Sequence, residues 1–237
     1  MRSAAILILL MLCAGAARAD RPSYGLSNCW RVAEFATTGN GVRSRLADFS
    51  FLATVKKDTF NSWTNGVSID SFYAYSSTGA CTRILKANPG SYMCGLYAAV
   101  TNDAYALSIL GVGEQSMEML LPIELDGKRD LSELTVGYDA WKFTEKDKNQ
   151  TALTFSACMI DDLAAADGAV WIGYDVYTSD VSTVSRAIRI LPKSLNGTRY
   201  VCFRWSVPKQ PKSAILGISD VEVTARFKPE GALLIIR

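Results

Sequence analysis

The 237-residue chain contains no histidine. Because imidazole is the general base of Ser-His-Asp and Cys-His hydrolases and a common zinc ligand, its absence excludes those mechanisms and any His-ligated metal site. The cysteines show no C-x-x-C spacing, so a zinc ribbon is excluded as well. Gly111-Val112-Gly113 follows a β-patterned run but lacks the third glycine and the following helix of a nucleotide-binding loop.

The chain also lacks a marked excess of either charge. It carries 25 basic and 23 acidic residues, and two of the basic ones, Arg2 and Arg18, lie in the leader described next. A nearly neutral chain has no electrostatic footprint for nucleic acid or for an anionic membrane. We therefore expect neither as a partner.

An apolar run over residues 4–13 is only about half the roughly 20 residues that span a bilayer. It follows Arg2 and leads to Ala17-Arg18-Ala19, the small-residue pattern of a cleavage site. The sequence therefore predicts a signal peptide over residues 1–19. It predicts a single domain over residues 20–237 that is secreted, periplasmic or at the cell surface, with no membrane span after cleavage.

Period-two alternation and β-branched or aromatic residues recur along nearly the whole chain. Turn residues such as Asn65-Gly66 and Asn196-Gly197 separate the patterned runs. About twelve short strands at this spacing predict an all-β fold, an antiparallel β-sandwich with jelly-roll topology. Residues 159–166 (MIDDLAAA) are predicted as an extended loop, with one or two helical turns as the alternative. The apolar tail 231–237 (GALLIIR) is predicted as a last edge strand, with a stub of a longer segment as the alternative.

From about Asp103 onward, six segments follow one another in a characteristic order. They are residues 106–113 (ALSILGVG), 117–125, 134–142 (LTVGYDAWK), 152–157 (ALTFSA), 201–205 (VCFRW) and 216–223 (LGISDVEV). This order resembles a galactose-binding-like or MAM-like jelly-roll module found in secreted bacterial envelope and anchor-associated proteins. The resemblance implies a jelly-roll fold and an envelope role. Ser219 replaces the first acid of the family's I-D-D pattern, so only Asp220 of that acidic pair is present.

Five cysteines remain outside the leader. Pairing is expected in an exported protein, and the odd count leaves Cys29 over. Cys81 with Cys94 would close a short loop. Cys158 with Cys202 would join two predicted strands, and alternation places both on the polar face. On the strand of Cys202, the opposite, apolar face carries Val201, Phe203, Trp205 and Val207, which we assign to the core. The alternative is that all are buried free thiols.

Alternation over residues 171–177 places Trp171, Asp175 and Tyr177 on one face of a predicted strand. Sugar rings stack on aromatic side chains through their apolar C–H surfaces while polar groups bind their hydroxyls. These three residues are the predicted glycan-binding site. Packing in the core or in an interface is the alternative for the two aromatic residues.

Asp161, Asp162 and Asp220 are the three leading candidate ligands of a metal ion, a structural calcium, because loop carboxylates suit that ion. Asp167 is a further acid to test, and the alternative is that no metal site exists. No catalytic cofactor is expected. Two carboxylates suffice for glycoside hydrolysis. The candidate pairs are Asp161 with Asp162, Asp175 with Asp180, and Asp220 with Glu222. The alternative for each pair is solvated or turn-capping acids.

These observations predict a secreted, non-enzymatic β-sandwich module. It would bind a surface glycan or an envelope protein, or serve a structural role at the cell envelope. The competing hypothesis is a carboxylate-dependent glycan-cleaving enzyme.

Overall fold

The computed structural model describes residues 23–39, 41–57, 59–87, 93–100, 105–112, 115–125, 127, 131–143, 151–178, 183–190, 195, 198–209 and 214–228. Regular structure in these ranges consists of β-strands and three short 3₁₀ helices, so the all-β prediction is confirmed. No helix within the described ranges is long and apolar enough to cross a membrane. The predicted signal peptide and the tail 231–237 lie outside these residues.

The strands are β1 (Trp30–Arg31), β2 (Ala36–Gly39), β3 (Val42–Leu46), β4 (Asn61–Ser62), β5 (Tyr73–Ser76), β6 (Gly79–Ala80), β7 (Arg83–Lys86), β8 (Gly95–Val100), β9 (Tyr105–Leu110), β10 (Met117–Glu124), β11 (Leu131–Lys142), β12 (Ala152–Ile160), β13 (Ile172–Thr178), β14 (Thr183–Ile190), β15 (Tyr200–Val207) and β16 (Leu216–Phe227). The 3₁₀ helices are η1 (Val32–Glu34), η2 (Ser50–Thr54) and η3 (Leu163–Gly168).

The strands form two sheets. Sheet I has the order β13-β12-β15-β10-β5-β6, and β1 also pairs with β10. Sheet II has the order β14-β11-β16-β9-β8-β7-β4, and β3 joins β16 to β2. From β9 to β16 the strands pair in a nested antiparallel order. The outermost pair is β9 with β16, followed by β10 with β15, β11 with β14 and, innermost, β12 with β13. This nested pairing defines a jelly roll, which confirms the predicted topology.

The core lies between the sheets and is rich in aromatic side chains. Alternation along β15 points Val201, Phe203, Trp205 and Val207 inward, and all four have no exposed surface. The Trp205 ring packs 5.3 Å from Phe155, measured between ring centroids. Because β15 is a central strand without a register shift, its period-two pattern is preserved along its length. The predicted inward face of this strand is confirmed.

Residues 159–166 do not form the predicted extended loop. Strand β12 continues to Ile160, and η3 begins at Leu163. Asp162 caps η3, because its Oδ1 accepts a hydrogen bond of 3.0 Å from the backbone N–H of Ala164. An Asp before a run of alanines is a helix-start signal, and here it produces a short helical segment.

The pairing of β16 with β9 requires a residue without a side chain at Gly217. It lies directly opposite Ser108, whose side chain is fully buried. A Cβ at Gly217 would overlap Ser108 Oγ and would lie 2.9 Å from the carbonyl O of Leu107. The close approach of the two backbones therefore leaves no room for a side chain.

We expect Gly217→Ala to lower the free energy of unfolding by about 1–3 kcal/mol, because an added methyl in a packed site forces backbone shifts. Urea unfolding measures this. Gly39→Ala is the matched control, since a Cβ at Gly39 meets no atom within 4 Å. That variant should stay within about 0.5 kcal/mol of the parent. Equal effects of the two changes would contradict the overlap.

Candidate functional site

The outer face of sheet I is partly covered by two segments of the chain. Residues 23–29, which we call the N-terminal strap, and η3 pack against it and form a second apolar cluster outside the main core. Leu120, Cys158 and Cys202 have no exposed surface although they point away from the core. A polar-looking strand face is thereby converted into a buried layer.

Hydrogen bonds hold the strap at both ends. At one end, the backbone N–H of Tyr24 donates to Asp167 Oδ1 at 2.7 Å, and Tyr24 Oη donates to Glu118 Oε2 at 2.6 Å. At the other end, the backbone N–H of Asn28 donates to Tyr73 Oη at 2.6 Å. These bonds join residues distant in sequence, so the strap is a fixed part of the sheet surface.

Trp171 is a partly buried residue that packs against the apolar cluster formed by the strap and η3. The guanidinium carbon of Arg204 sits 4.2 Å from the centroid of the indole ring, and the Tyr24 ring meets it edge-on at 6.4 Å. Such cation–π and edge-to-face contacts orient the indole. Its Nε1–H has no hydrogen-bond partner.

Charged and hydroxyl side chains lie around Arg204 on the same face of sheet I. Arg204 Nη1 and Glu118 Oε1 form an ion pair of 3.8 Å, with side-chain exposures of 16% and 12%. Arg204 Nε also donates to Ser156 Oγ at 3.0 Å. Strand register places Thr154 and Ser206 beside Glu118, and both are half-buried. The Trp171 patch comprises Trp171, Arg204, Glu118, Ser156, Thr154 and Ser206.

The structure divides the predicted site of Trp171, Asp175 and Tyr177 between two faces of sheet I. Phe155 pairs with Asp175, and the next residue, Ser156, pairs with Gly173, so Tyr174 is an extra residue in β13. A β-bulge of this kind reverses the alternation of the strand. Trp171 therefore joins the outer cluster, whereas Tyr177 is 1% exposed and lies in the main core.

Asp175 and Tyr177 serve the interior in different ways. Asp175 Oδ2 accepts a hydrogen bond of 3.2 Å from Tyr138 Oη and forms an ion pair of 3.1 Å with Arg186 Nε. Burial raises the pKa of Tyr138, and the adjacent Asp175 carboxylate raises it further. Burial also raises the pKa of Tyr177 to about 12. Both tyrosines are therefore neutral at physiological pH.

The three predicted metal ligands do not meet. Asp161 and Asp162 precede η3 beside sheet I, whereas Asp220 belongs to β16 of sheet II. Asp220 occupies a bulge with φ of 51° and accepts a hydrogen bond of 2.9 Å from Ser219 Oγ. Among the residues that the structure describes, no three His, Cys, Asp or Glu side chains cluster closely enough to hold a metal ion. Asp180, predicted as a partner of Asp175, lies outside those residues.

None of the five cysteines that the structure describes forms a disulfide, so the predicted bonds Cys158–Cys202 and Cys81–Cys94 are absent. The predicted register is nevertheless right, because Cys158 lies directly opposite Cys202 on the outer face. The strap buries that face, and desolvation raises the pKa of the Cys202 thiol. Since oxidation to a disulfide proceeds through the thiolate, burial disfavours bond formation here.

Sequence reasoning missed Arg204 and Glu118 as site residues. Alternation along β15 places Arg204 on the outer face with Cys202 and Ser206, so a signal for it existed. Glu118 belongs to β10, and only the pairing of β10 with β15 shows that it neighbours the strand that carries Arg204. The pairing of these charges required the sheet order.

No family model matches the chain, and no curated protein matches it. Among solved structures, a Stig cyclase from Fischerella sp. TAU has a TM-score of 0.47 at 10% identity, covering 79% of this chain and 100% of its own. A carbohydrate-binding module of the β-sandwich superfamily has a TM-score of 0.41 at 10% identity, covering 68% and 60%. The CBM22-1 xylan-binding domain of Paenibacillus barcinonensis Xyn10C has a TM-score of 0.38 at 10% identity, covering 60% and 85%.

Proposed function

We propose that this chain is a secreted, non-enzymatic module that binds a glycan at the Trp171 patch. The observation that carries the proposal is the position of a half-buried, oriented indole beside the Arg204–Glu118 ion pair on the outer face of sheet I. Secretion rests on the leader pattern over residues 1–19.

The chemistry of the patch suits a polyhydroxylated ligand. Guanidinium groups donate and carboxylates accept, so Arg204 and Glu118 together offer both functions to vicinal hydroxyls. Thr154 and Ser206 extend the polar surface along the same face. The indole supplies apolar area for the C–H surface of a sugar ring.

Orientation of the side chains before binding favours affinity. Arg204 is held by Ser156 and Glu118, and Trp171 is held between Arg204 and Tyr24. Side chains that are already ordered lose little conformational entropy when a ligand binds. The patch therefore needs no large rearrangement to accept a ligand.

The non-enzymatic part of the proposal rests on the carboxylates. Cleavage by the usual mechanism needs two carboxyl groups flanking the scissile bond, about 5–10 Å apart. The Trp171 patch contains one carboxylate, Glu118, which accepts a hydrogen bond from Tyr24 and is paired with Arg204. Asp175 is paired with Arg186 on the other side of the sheet.

A glycan array of plant, algal and mucin oligosaccharides tests the proposal. We expect discrete hits with the parent protein and at least about tenfold weaker binding of those hits by Trp171→Ala, because a central aromatic contact dominates such sites. Trp141→Ala is the matched control. Trp141 is also half-buried on an outer face, but it belongs to sheet II, where its Nε1 donates to Ser219 Oγ at 2.7 Å.

Three results would overturn parts of this proposal. An array without hits contradicts glycan binding and favours a structural role. Equal losses in Trp171→Ala and Trp141→Ala contradict the assignment of the patch. Release of reducing ends from a bound glycan by the parent protein contradicts the non-enzymatic assignment.

A further inference from the structure

A cavity of about 200 Å³ opens between the two sheets, away from the Trp171 patch. Four sulfur-containing residues line it: Cys81, Cys94, Met93 and Met117. Phe60 and Arg83 also line it, and the Arg83 guanidinium carbon lies 5.2 Å from the centroid of the Phe60 ring. Phe60 and Met93 are more than half exposed, so the cavity is open to solvent at this rim.

The two thiols reach this cavity from opposite sheets. Cys81 directly follows β6 of sheet I, where its backbone N–H donates to the carbonyl O of Ala74 at 2.9 Å. Cys94 directly precedes β8 of sheet II. Both are half-buried, neither forms a disulfide, and both pack against the main core. The fold thus places two cysteines that are 13 positions apart at one gap between the sheets.

Met117 completes the set at the inner wall. It is the first residue of β10 and has no exposed surface. Met93 is adjacent to Cys94 in sequence and is 60% exposed. The cavity therefore combines a buried thioether, two half-buried thiols and a thioether at the rim.

We propose that this cavity binds a thiophilic monovalent metal ion, Cu(I), through the sulfur atoms of Cys81 and Cys94 with Met117 as a third ligand. Soft thiolate and thioether ligands select Cu(I), whereas harder divalent ions prefer carboxylate or imidazole. The chain has no histidine, and no cluster of three His, Cys, Asp or Glu exists among the described residues. The two thiols and one thioether at this cavity suit Cu(I), fall short of the four protein ligands of a structural zinc site, and offer calcium no carboxylate oxygen.

The electrostatics of the cavity agree with this assignment. Two thiolates and one monovalent cation carry a net charge of −1, which Arg83 at the same cavity offsets. Cysteine binds a metal ion as the thiolate, so metal binding at this cavity releases thiol protons.

Competition with the Cu(I) chelator bicinchoninate tests the site, using the reduced full chain under anaerobic conditions. We expect one Cu(I) per chain with an ultraviolet Cu(I)–thiolate band, and an affinity that increases as pH rises. Cys81→Ser and Cys94→Ser should each weaken binding by about 100-fold or more, and Met117→Leu by about tenfold. Cys29→Ser is the matched control, because Cys29 is equally half-buried but packs on the outer face of sheet I.

Several outcomes would overturn the proposed Cu(I) site. Unchanged binding in Cys81→Ser or Cys94→Ser, or an equal loss in Cys29→Ser, overturns the proposal. Absence of the band in the fully reduced parent does so too. If a serine variant fails to fold by circular dichroism, Met117→Leu decides, because this volume-conserving change retains the apolar packing and removes only the thioether. Its binding at full strength would exclude Met117 as a ligand.

Discussion

Replacing Trp205 with alanine is expected to lower the free energy of unfolding by about 3–5 kcal/mol. Trp205 has no exposed surface and contacts rings from both sheets. Its nearest partners are Phe155 at 5.3 Å, Tyr138 at 5.6 Å and Phe72 at 6.3 Å, measured between ring centroids. Alanine would leave a cavity that these neighbours cannot fill, because Phe155 and Tyr138 are fixed in separate sheets and Phe72 directly precedes β5.

Urea unfolding measures this loss. It is monitored by far-ultraviolet circular dichroism instead of tryptophan fluorescence, because the variant lacks one tryptophan. Trp171→Ala is the matched control, since Trp171 is half-buried outside the core and its removal opens no enclosed space. We expect the Trp171 change to cost less than half as much as the Trp205 change. A loss below about 1 kcal/mol for Trp205→Ala would show that the core repacks, in contradiction to the expectation.

Glu118→Ala is expected to cost about 3 kcal/mol, which is the range for breaking a largely buried ion pair. The change would leave Arg204 without its carboxylate in a site where the Arg204 side chain is 16% exposed. It would also remove the acceptor of the Tyr24 Oη hydrogen bond. The N-terminal strap would lose one of its anchors and become more sensitive to proteolysis.

Glu124→Ala is the control for this change. Glu124 lies on the same strand and pairs with Arg31 at 3.2 Å and Arg199 at 2.9 Å, but both arginine side chains are more than 60% exposed. Exposed pairs contribute about 0–1 kcal/mol, so this variant should remain near the parent. Urea unfolding and limited proteolysis of the strap distinguish the two. Equal unfolding free energies would show that the Arg204–Glu118 pair contributes no more than a surface pair.

Alternation predicts the two faces correctly for β15 but not for residues 171–177. In β15, alternation correctly places Trp205 inside and Arg204 outside, because the strand is paired on both sides without a shift. In residues 171–177 the same rule fails. The extra residue at Tyr174 arises from pairing with β12, and nothing in the local pattern specifies it.

The outer face of sheet I shows a second limit of local reasoning. Cys158 and Cys202 share the predicted face, yet both are fully buried there. The strap that covers them is held to the sheet by Tyr24 and Glu118, which are 94 positions apart. Alternation reports which side of a strand a residue points to, but it does not report what else packs on that side.

Composition and alternation by themselves determined the all-β class, the exclusion of histidine chemistry and the inward face of β15, because each depends on residue type or on a strand's own period. Only the tertiary structure decided two further features. These are the burial of the outer face of sheet I beneath the strap and the division of Trp171 from Tyr177. They depend on which distant segments pair and in which register, and that choice is made by packing across the whole sandwich.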